Sequence, residues 1–383
     1  MENFEILLII LTVIWLFGKL FRAFNLPIIF GELLGGIVVG PLVLNLVNPE
    51  SEVVVILAEL GIFFLMLHSG LETDPKKLYR ASKRSILIAL GGVVFPFLGG
   101  YLVSRYFGQS FESSIFIGMG LCTTAIAISV RLFKECNIQK TEVAHIALGA
   151  AIISDILVLI VFSIILTITN GESIILSDIL FLLFKIVSFF ILTLFIGHKA
   201  SKYLPGVLLE KGFSLTLIAA LVLGLLAELI GLHIILGAFL AGLFIQERVL
   251  DEKIYRKIED RIYGLSYSFL GPIFFVSLAF HLDFVAIKEA PWFLLVIFLV
   301  AFFGKLFGSG IMAFFQKIEW KKSVLIGIAM NSRGAVDLVI ASIGLQKGII
   351  EKNVFSILVL VAFMTTLVSV FTMRKFSKLI IKN

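Results

Sequence analysis

The chain has 383 residues, of which 60% are hydrophobic and 15% are charged, and its mean hydropathy is +1.10. A water-soluble fold needs more polar surface than this composition supplies. Apolar runs of about 20 residues, the length that a helix needs to cross a bilayer, recur along the chain. Because barrel strands would instead alternate over roughly ten positions, the pattern predicts an all-α polytopic membrane protein. The net charge of +6 is explained by its distribution along the chain and does not indicate nucleic-acid binding.

Turn residues and charges divide the chain into about 13 predicted transmembrane helices. These cover approximately residues 4–24, 27–47, 52–71, 83–105, 112–133, 141–168, 177–198, 212–229, 232–247, 264–282, 291–315, 322–346 and 353–374. Most of the 32 lysines and arginines lie in alternate connections, and the opposite set holds only Arg105, Lys288, Lys347 and Lys352. The positive-inside rule therefore predicts a cell (inner or plasma) membrane protein with its N-terminus outside and its C-terminus in the cytoplasm.

Three pairs of segments resemble each other at a nearly constant separation. They are IFGELLGGIVVG (29–40) with ILGAFLAGLFI (235–245), LGIFFLMLHSGLETD (60–74) with LGPIFFVSLAFHLDF (270–284), and IGMGLCTTAIAISV (117–130) with IGIAMNSRGAVDLVI (326–340). The separations are 206, 210 and 209 residues. A separation that spans seven helices gives the two copies opposite orientations in the membrane, and inverted repeats of this kind are typical of transporters.

The repeats predict the organisation of the whole chain. Two inverted six-helix repeats cover about 1–170 and about 212–375, and a connector helix at about 177–198 joins them. We expect residues 1–383 to form a single membrane transport domain. The third repeat pair places polar residues in the middle of two predicted spans, within CTTAIAIS and MNSRGAVDL. In a helix interrupted there, main-chain groups and hydroxyls can replace the hydration shell of an ion.

Asp155 is the strongest candidate for a transport residue. It lies near the middle of a predicted span, with no other ionisable residue between His145 and Glu172. A charge at the bilayer centre costs about 2.5–3.5 kcal/mol on insertion scales, so it requires either a buried basic partner or a function. Burial disfavours the charged form of a carboxylate, so protons and Na+ can compete for it.

Ser154, Thr123 and Thr124 offer hard oxygen ligands for a small alkali ion, which predicts a Na+ site at Asp155.

Five further intramembrane charges have several interpretations. Lys305 is a counter-charge, a second proton site or a structural residue. Arg333 lies in the second polar interruption, where a guanidinium can satisfy freed carbonyls, and Asp337 is either its partner or an accessory ligand. Glu32 suits a helix start, an arginine pair or transport, and Glu59 lies nearer the outer half of its span. We group Arg333, Asp337, Glu32 and Glu59 as structural or gating charges.

Several stretches resemble the cation:proton antiporter-2 family of sodium/proton exchangers and Kef-type potassium efflux proteins. They are PIIFGELLGGIVVGPL, LAELGIFFLMLHSGLETD, AAIISDILVL, LLAELIGLHIILGAFLAGLFI, LGPIFFVSLAFHLD and SRGAVDLVIAS. The resemblance implies a 13-helix fold, a homodimer, and a mobile core domain that slides against a dimerisation scaffold. It also implies crossed broken helices beside an essential aspartate, here Asp155, and it matches Lys305 to the family's lysine in span 11.

The chain departs from the family pattern at two places. Electrogenic members of the family usually carry Asp-Asp, and many electroneutral members carry Asn-Asp, where this chain has Ser154-Asp155. With one titrating carboxylate, a one-for-one, electroneutral exchange is the simpler expectation. The acid that normally follows Arg-Gly is replaced by Ala335, and Asp337 lies two places on. The chain ends soon after the last predicted span, so we expect no soluble regulatory domain of the nucleotide-binding kind.

The sequence thus predicts a secondary active antiporter, not an enzyme, that exchanges Na+, with Li+ as a further candidate, for H+ by alternating access at Asp155. No cofactor is expected beyond the transported ions, and the expected partners are the lipid bilayer and a second copy of the chain. K+/H+ antiport or Kef-like K+ efflux is the alternative. A cation-coupled solute symporter also fits an inverted repeat. An intramembrane aspartyl protease using Asp155 and Asp337 lacks the Gly-x-Gly-Asp signature.

Overall fold

The computed structural model describes residues 2–24, 26–72, 83–138, 141–168, 184–185, 188–189, 204–230, 232–248 and 252–381. Throughout these ranges the regular structure is helical. The helices are α1 (Glu2–Ala23), α2 (Ile28–Val39), α3 (Glu52–Glu72), α4 (Lys83–Tyr106), α5 (Phe111–Gly120), α6 (Ile126–Glu135), α7 (Glu142–Ile168), α8 (Leu204–Leu229), α9 (Ile234–Arg248), α10 (Glu252–Leu265), a π-helical segment (Ser266–Leu270), α11 (Gly271–Ala279), α12 (Phe284–Glu289), α13 (Pro291–Phe315), α14 (Trp320–Ala329), α15 (Ala335–Gln346) and α16 (Lys352–Ile381).

The lengths of these helices confirm the predicted all-α polytopic membrane fold. Within the described ranges, eight helical stretches are long and apolar enough to cross a bilayer. They are Asn3–Ala23, Glu52–Glu72, Arg84–Tyr106, Glu142–Ser163, Gly212–Leu229, Lys253–Ala279, Pro291–Phe315 and Lys352–Ser377. Three shorter apolar helices lie at Ile28–Val39, Ile234–Ile245 and Ala335–Gln346. The predicted connector at 177–198 lies outside the described residues except at 184–185 and 188–189, which are helical.

Local chemistry explains where helices differ from the predicted spans. The span predicted at 27–47 ends as a helix at Val39, because Gly40 is followed by Pro41 and a residue before proline disfavours the helical conformation. The span predicted at 264–282 belongs to a longer helical stretch that begins at Glu252 and runs through the π-helical segment to Ala279. Its charged first part continues the helix because α10 is strongly amphipathic, so its charges share one face.

The helices group into two compact units. The first unit comprises Met1–Lys76 and Leu166–His281, and the second comprises Lys77–Ile165 and Leu282–Asn383. The first unit therefore contains the first part of each predicted repeat, and the second unit contains the later part of each.

Packing inside the first unit reproduces the internal repeat. In the repeat, α2 corresponds to α9 and α3 to α11, and the structure packs α2 against α11 and α3 against α9. These two contacts are therefore copies of each other. Gly36 lies against the carbonyl of Val276, and Gly242, its counterpart 206 residues on, lies against the carbonyl of Leu67. Neither position has room for a Cβ atom, so glycine permits both close approaches.

The second unit has an apolar core built from several of its helices. Helix α4 packs along α13, and α14 packs against both α13 and α16. A buried cluster joins these helices to α6 and α7; it includes Ile88, Ala89, Leu132, Phe133, Ala147, Ala150, Leu325, Ile326 and Val370. This core supports the two short helix pairs, α5 with α6 and α14 with α15, that contain the polar interruptions.

We predict that the close approach at Gly242 is required for stability. Gly242→Ala should lower the free energy of unfolding by about 1–3 kcal/mol, because a Cβ would force the α3 and α9 main chains apart. Gly264→Ala is the matched control, since nothing lies within 4 Å of a Cβ there, and it should be neutral or stabilising by up to about 1 kcal/mol. The measurement is denaturant unfolding in detergent micelles, and equal effects of the two substitutions would contradict the packing argument.

Candidate ion-binding site

Two helix interruptions meet inside the second unit. Residues 121–125 separate α5 from α6, and residues 330–334 separate α14 from α15, so the two breaks are 209 residues apart. The N–H of Ala125 donates a hydrogen bond to the carbonyl of Ser332 at 2.7 Å. The interruptions therefore lie against each other, as expected for crossed broken helices. Both are lined by buried residues, where freed main-chain groups must find partners other than water.

Each interruption supplies a side chain that satisfies carbonyls of the other. Thr124 and Arg333 are 209 residues apart and thus occupy the same repeat position. The Thr124 hydroxyl donates to the carbonyl of Met330 at 3.1 Å. The Arg333 guanidinium donates to the carbonyls of Leu121 at 2.7 Å and Gly120 at 3.0 Å. These carbonyls end α5 and α14, where the helix dipole is negative and no partner exists within the helix.

Asp155 lies on α7 beside the first interruption and is 3% exposed. Its Oδ1 accepts the main-chain N–H of Thr124 at 3.2 Å, just before the N-terminus of α6. The positive end of that helix dipole favours an ionised carboxylate there. The structure thus brings the predicted carrier to the polar backbone predicted to surround it.

The three residues predicted as oxygen ligands are all buried. Ser154 is the neighbour of Asp155 on α7, and within the described part of the chain its buried hydroxyl has no hydrogen-bond partner. Thr123 donates its hydroxyl proton to the carboxylate of Asp337. Since a hydroxyl has one proton and two lone pairs, Thr123 and Thr124 keep acceptor capacity after donating. Both threonines and Ser154 can therefore offer oxygen lone pairs to a cation.

Lys305 bonds directly to the first interruption. It is fully buried on α13, and its ammonium group donates to the main-chain carbonyls of Cys122 and Thr123. These hydrogen bonds satisfy carbonyls that have no partner within the broken helix. Among the roles predicted for Lys305, these hydrogen bonds support a structural one, in which the side chain stabilises the broken helix.

Arg333 and Asp337 form a buried pair at the second interruption. Arg333 Nη1 lies 3.4 Å from Asp337 Oδ1, and the two side chains are 1% and 6% exposed. Oδ2 of Asp337 accepts the N–H of Gly334 at 3.0 Å and so caps the start of α15. One carboxylate thus holds Arg333, Thr123 and a helix terminus together.

The two remaining predicted charges belong to the first unit. Glu32 is buried on α2, with 4% of its surface exposed, and Glu59 is exposed on α3. Neither is part of the cluster around Asp155.

The sequence interpretation missed Thr366. This fully buried residue of α16 accepts the N–H of Arg333 at 2.8 Å and donates to the carbonyl of Arg333 at 3.1 Å. Its contact parallels that of Asp155 in the first half of the repeat. Asp155 bonds the N–H of Thr124, and Thr366, 211 residues further on, bonds the N–H of Arg333, which is the repeat counterpart of Thr124.

Comparisons with known proteins identify the family and the fold of the chain. Residues 7–378 match the family described as "Sodium/hydrogen exchanger, transmembrane". The chain is 33% identical to the Na+/H+-K+ antiporter GerN of Bacillus cereus over 96% of this chain and 94% of the relative. It is 32% identical to a Na+/H+ antiporter of Enterococcus hirae over the full length of both. The solved structure of the sodium proton antiporter MjNhaP1 from Methanocaldococcus jannaschii superposes with a TM-score of 0.78 at 19% identity, covering 98% of each chain, which shows the shared fold.

We predict that Arg333 and Asp337 are strongly coupled. Arg333→Met and Asp337→Asn should each lower the free energy of unfolding by about 3–5 kcal/mol, because each leaves a buried charge without its partner. The loss of unfolding free energy in the double variant should be smaller than the sum of the two single losses by at least about 1 kcal/mol. The control cycle is Arg84 with Glu142, an exposed pair at 2.8 Å, whose coupling should stay below about 1 kcal/mol. Additive effects at Arg333 and Asp337, measured by denaturant titration in detergent, would refute the coupling.

Proposed function

Because the chain belongs to the sodium/hydrogen exchanger family, we propose that it is a secondary active antiporter in which Asp155 carries Na+ in one direction and H+ in the other. The observation that carries this assignment is the position of Asp155: its buried carboxylate accepts the N–H of Thr124, in the first of two crossing helix interruptions. The family match also favours an antiporter over the protease and symporter alternatives. Li+, whose chemistry resembles that of Na+, is a further candidate substrate.

The oxygen atoms around Asp155 support a small hard cation as the substrate. We propose that the hydroxyl of Ser154, which has no hydrogen-bond partner among the described residues, and the remaining lone pairs of Thr123 and Thr124 supply neutral oxygens to the ion. Alkali and alkaline-earth ions prefer such ligands to nitrogen or sulfur. K+/H+ antiport or K+ efflux is the second candidate, because one relative, GerN, is named as a Na+/H+-K+ antiporter.

The proposed cycle uses one carboxylate and two mutually exclusive occupants. When Na+ binds, the proton leaves the carboxyl group of Asp155, and when a proton returns, Na+ is released. Both occupied forms carry the same charge, so one-for-one exchange moves no net charge across the membrane. A carboxylate neutralised by either ion also reorients at lower electrostatic cost than a bare one. The exchange then needs no cofactor and no ATP.

The remaining buried charges keep the site in shape during this cycle. Lys305 and Arg333 hold the carbonyls of the first interruption, and Asp337 offsets Arg333. We propose that the second unit, which contains all of these residues, carries the bound ion during alternating access. We further propose a homodimer in the lipid of the cell membrane, with the N-terminus outside and the C-terminus in the cytoplasm, from the charge distribution and the family resemblance.

We predict that Asp155→Asn abolishes Na+/H+ exchange in proteoliposomes, because the amide neither binds a proton nor provides the negative charge for Na+. Asp155→Glu should retain measurable exchange with weaker Na+ affinity, since its carboxylate is displaced by one methylene. Glu112→Gln, at an exposed position in the first turn of α5, is the matched control and should exchange at the wild-type rate. Sustained exchange by Asp155→Asn would remove Asp155 from the carrier role.

We predict that exchange is electroneutral and faster for Na+ and Li+ than for K+. The rate of Na+-driven pH change in proteoliposomes should be the same at an imposed inside-negative potential and at zero potential. A rate that changes with the potential would show that unequal numbers of H+ and Na+ are exchanged in each cycle. A K+ rate equal to the Na+ rate would promote the K+/H+ alternative.

A further inference from the structure

Thr366 occupies, at the second interruption, the place that Asp155 occupies at the first. Asp155 on α7 bonds the N–H of Thr124, and Thr366 on α16 bonds the N–H of Arg333. Thr124 and Arg333 are repeat counterparts, and each caps carbonyls of the opposite interruption. The two halves of the site are therefore built on one plan, with a carboxylate in one half and a hydroxyl in the other.

The hydroxyl makes a different kind of contact from the carboxylate. Thr366 accepts the N–H of Arg333 at 2.8 Å and donates to the carbonyl of the same residue at 3.1 Å, so it satisfies both main-chain groups of Arg333. A carboxylate can only accept. Furthermore, Asp155 must rearrange its contacts whenever Na+ replaces H+, whereas a neutral hydroxyl takes part in neither event. One interruption is thus bonded to the exchanging group and the other to a permanent one.

The contacts of Arg333 lead from Thr366 back to the ion site. The guanidinium of Arg333 lies on the carbonyls of Gly120 and Leu121, immediately before Thr123 and Thr124. The residue before Arg333, Ser332, accepts the N–H of Ala125 at 2.7 Å, immediately after Thr124. Arg333 and its neighbour therefore hold the first interruption on both sides of the two threonines.

We propose that Thr366 is a positioning residue for ion binding: by fixing the main chain of Arg333, it holds Thr123 and Thr124 in register with Asp155. This proposal rests on the proposed function, in which Na+ binds at Asp155 beside these threonines. Loss of the hydroxyl leaves the buried N–H and carbonyl of Arg333 without this partner, and such groups are costly to leave unsatisfied. The interruption then relaxes, and the ligand oxygens move away from the geometry that Na+ requires.

The adjacent residue provides a matched control. Thr365 is also fully buried on α16, but its hydroxyl donates to the carbonyls of Val361 and Ala362 within the same helix. Thr365→Ala removes the same atoms at the same depth without touching Arg333. A difference between the two alanine variants therefore reports the contact with Arg333.

The experiment measures Na+/H+ exchange in proteoliposomes for Thr366→Ala, Thr366→Ser and Thr365→Ala, with size-exclusion profiles as the check on folding. Thr366→Ala should raise the apparent KM for Na+ on the order of tenfold, with little change in the maximal rate per reconstituted protein. Thr366→Ser keeps the hydroxyl and should stay close to the wild-type KM, as should Thr365→Ala. General destabilisation would lower the maximal rate through loss of active protein and would not shift the KM selectively.

Several outcomes would overturn the proposal. They are a wild-type KM in Thr366→Ala, an equal rise in Thr365→Ala, or no recovery of affinity in Thr366→Ser. A Thr366→Ala protein that cannot be obtained folded would assign Thr366 to folding and would also overturn it. Asp155→Asn, assayed in parallel, distinguishes failure of the positioning role from failure of the proposed function. If that variant is inactive while Thr366→Ala behaves as wild type, only the positioning role fails, and if it exchanges Na+, the proposed function fails first.

Discussion

The constraint on which this structure depends is that main-chain groups freed inside a membrane protein must find protein partners. Hydrocarbon offers no hydrogen bonds, so a broken helix is tolerated only where other groups satisfy its carbonyls and N–H groups. Here the two breaks do this for each other through hydrogen bonds to main-chain carbonyls. The Thr124 hydroxyl donates to Met330, the Arg333 guanidinium donates to Gly120 and Leu121, and the N–H of Ala125 donates to Ser332. The crossing is therefore a mutual requirement, since neither interruption would be satisfied without the other.

That requirement also accounts for the buried charges. Lys305 and Arg333 donate hydrogen bonds to carbonyls at the first break. Asp337 balances the positive charge of Arg333 and also caps the start of α15. An isolated charge would be far too costly at this depth, but a charge that completes several hydrogen bonds is not. Asp155 differs from these three in that its carboxylate accepts a main-chain N–H just before α6.

The internal repeat places different side chains at corresponding positions of the two interruptions. Thr124 and Arg333 share a repeat position, and Asp155 and Thr366 bond their respective N–H groups, yet the chemistry of each pair differs. The half with Asp155 pairs a carboxylate with a hydroxyl-bearing cap, and the half with Thr366 pairs a hydroxyl with a guanidinium cap. In the first half the charged group is therefore Asp155, which bonds the N–H of Thr124. In the second half the charged group is Arg333 itself, and a neutral hydroxyl bonds its N–H.

Sequence alone determined the membrane class, the all-α fold, the internal repeat and the positions of both interruptions. It could do so because bilayer thickness sets the length of apolar runs, and because a charge or a polar break within such a run is too costly to occur without a cause. Sequence also singled out Asp155, Lys305 and Arg333 one by one, but it left several roles open for the two bases.

Only the tertiary structure decided which groups meet. The carbonyls that Arg333 and Lys305 bind, and the carboxylate that Thr123 binds, lie about 180–215 residues away in the chain, and no local pattern encodes such pairings. Thr366 escaped notice for a related reason: a threonine in an apolar helix commonly bonds its own helix, as Thr365 does, and only the packed structure shows that the hydroxyl of Thr366 bonds the main chain of Arg333. Hydropathy depends on each residue by itself, whereas the site depends on directional hydrogen bonds between distant segments, which exist only after the helices have packed.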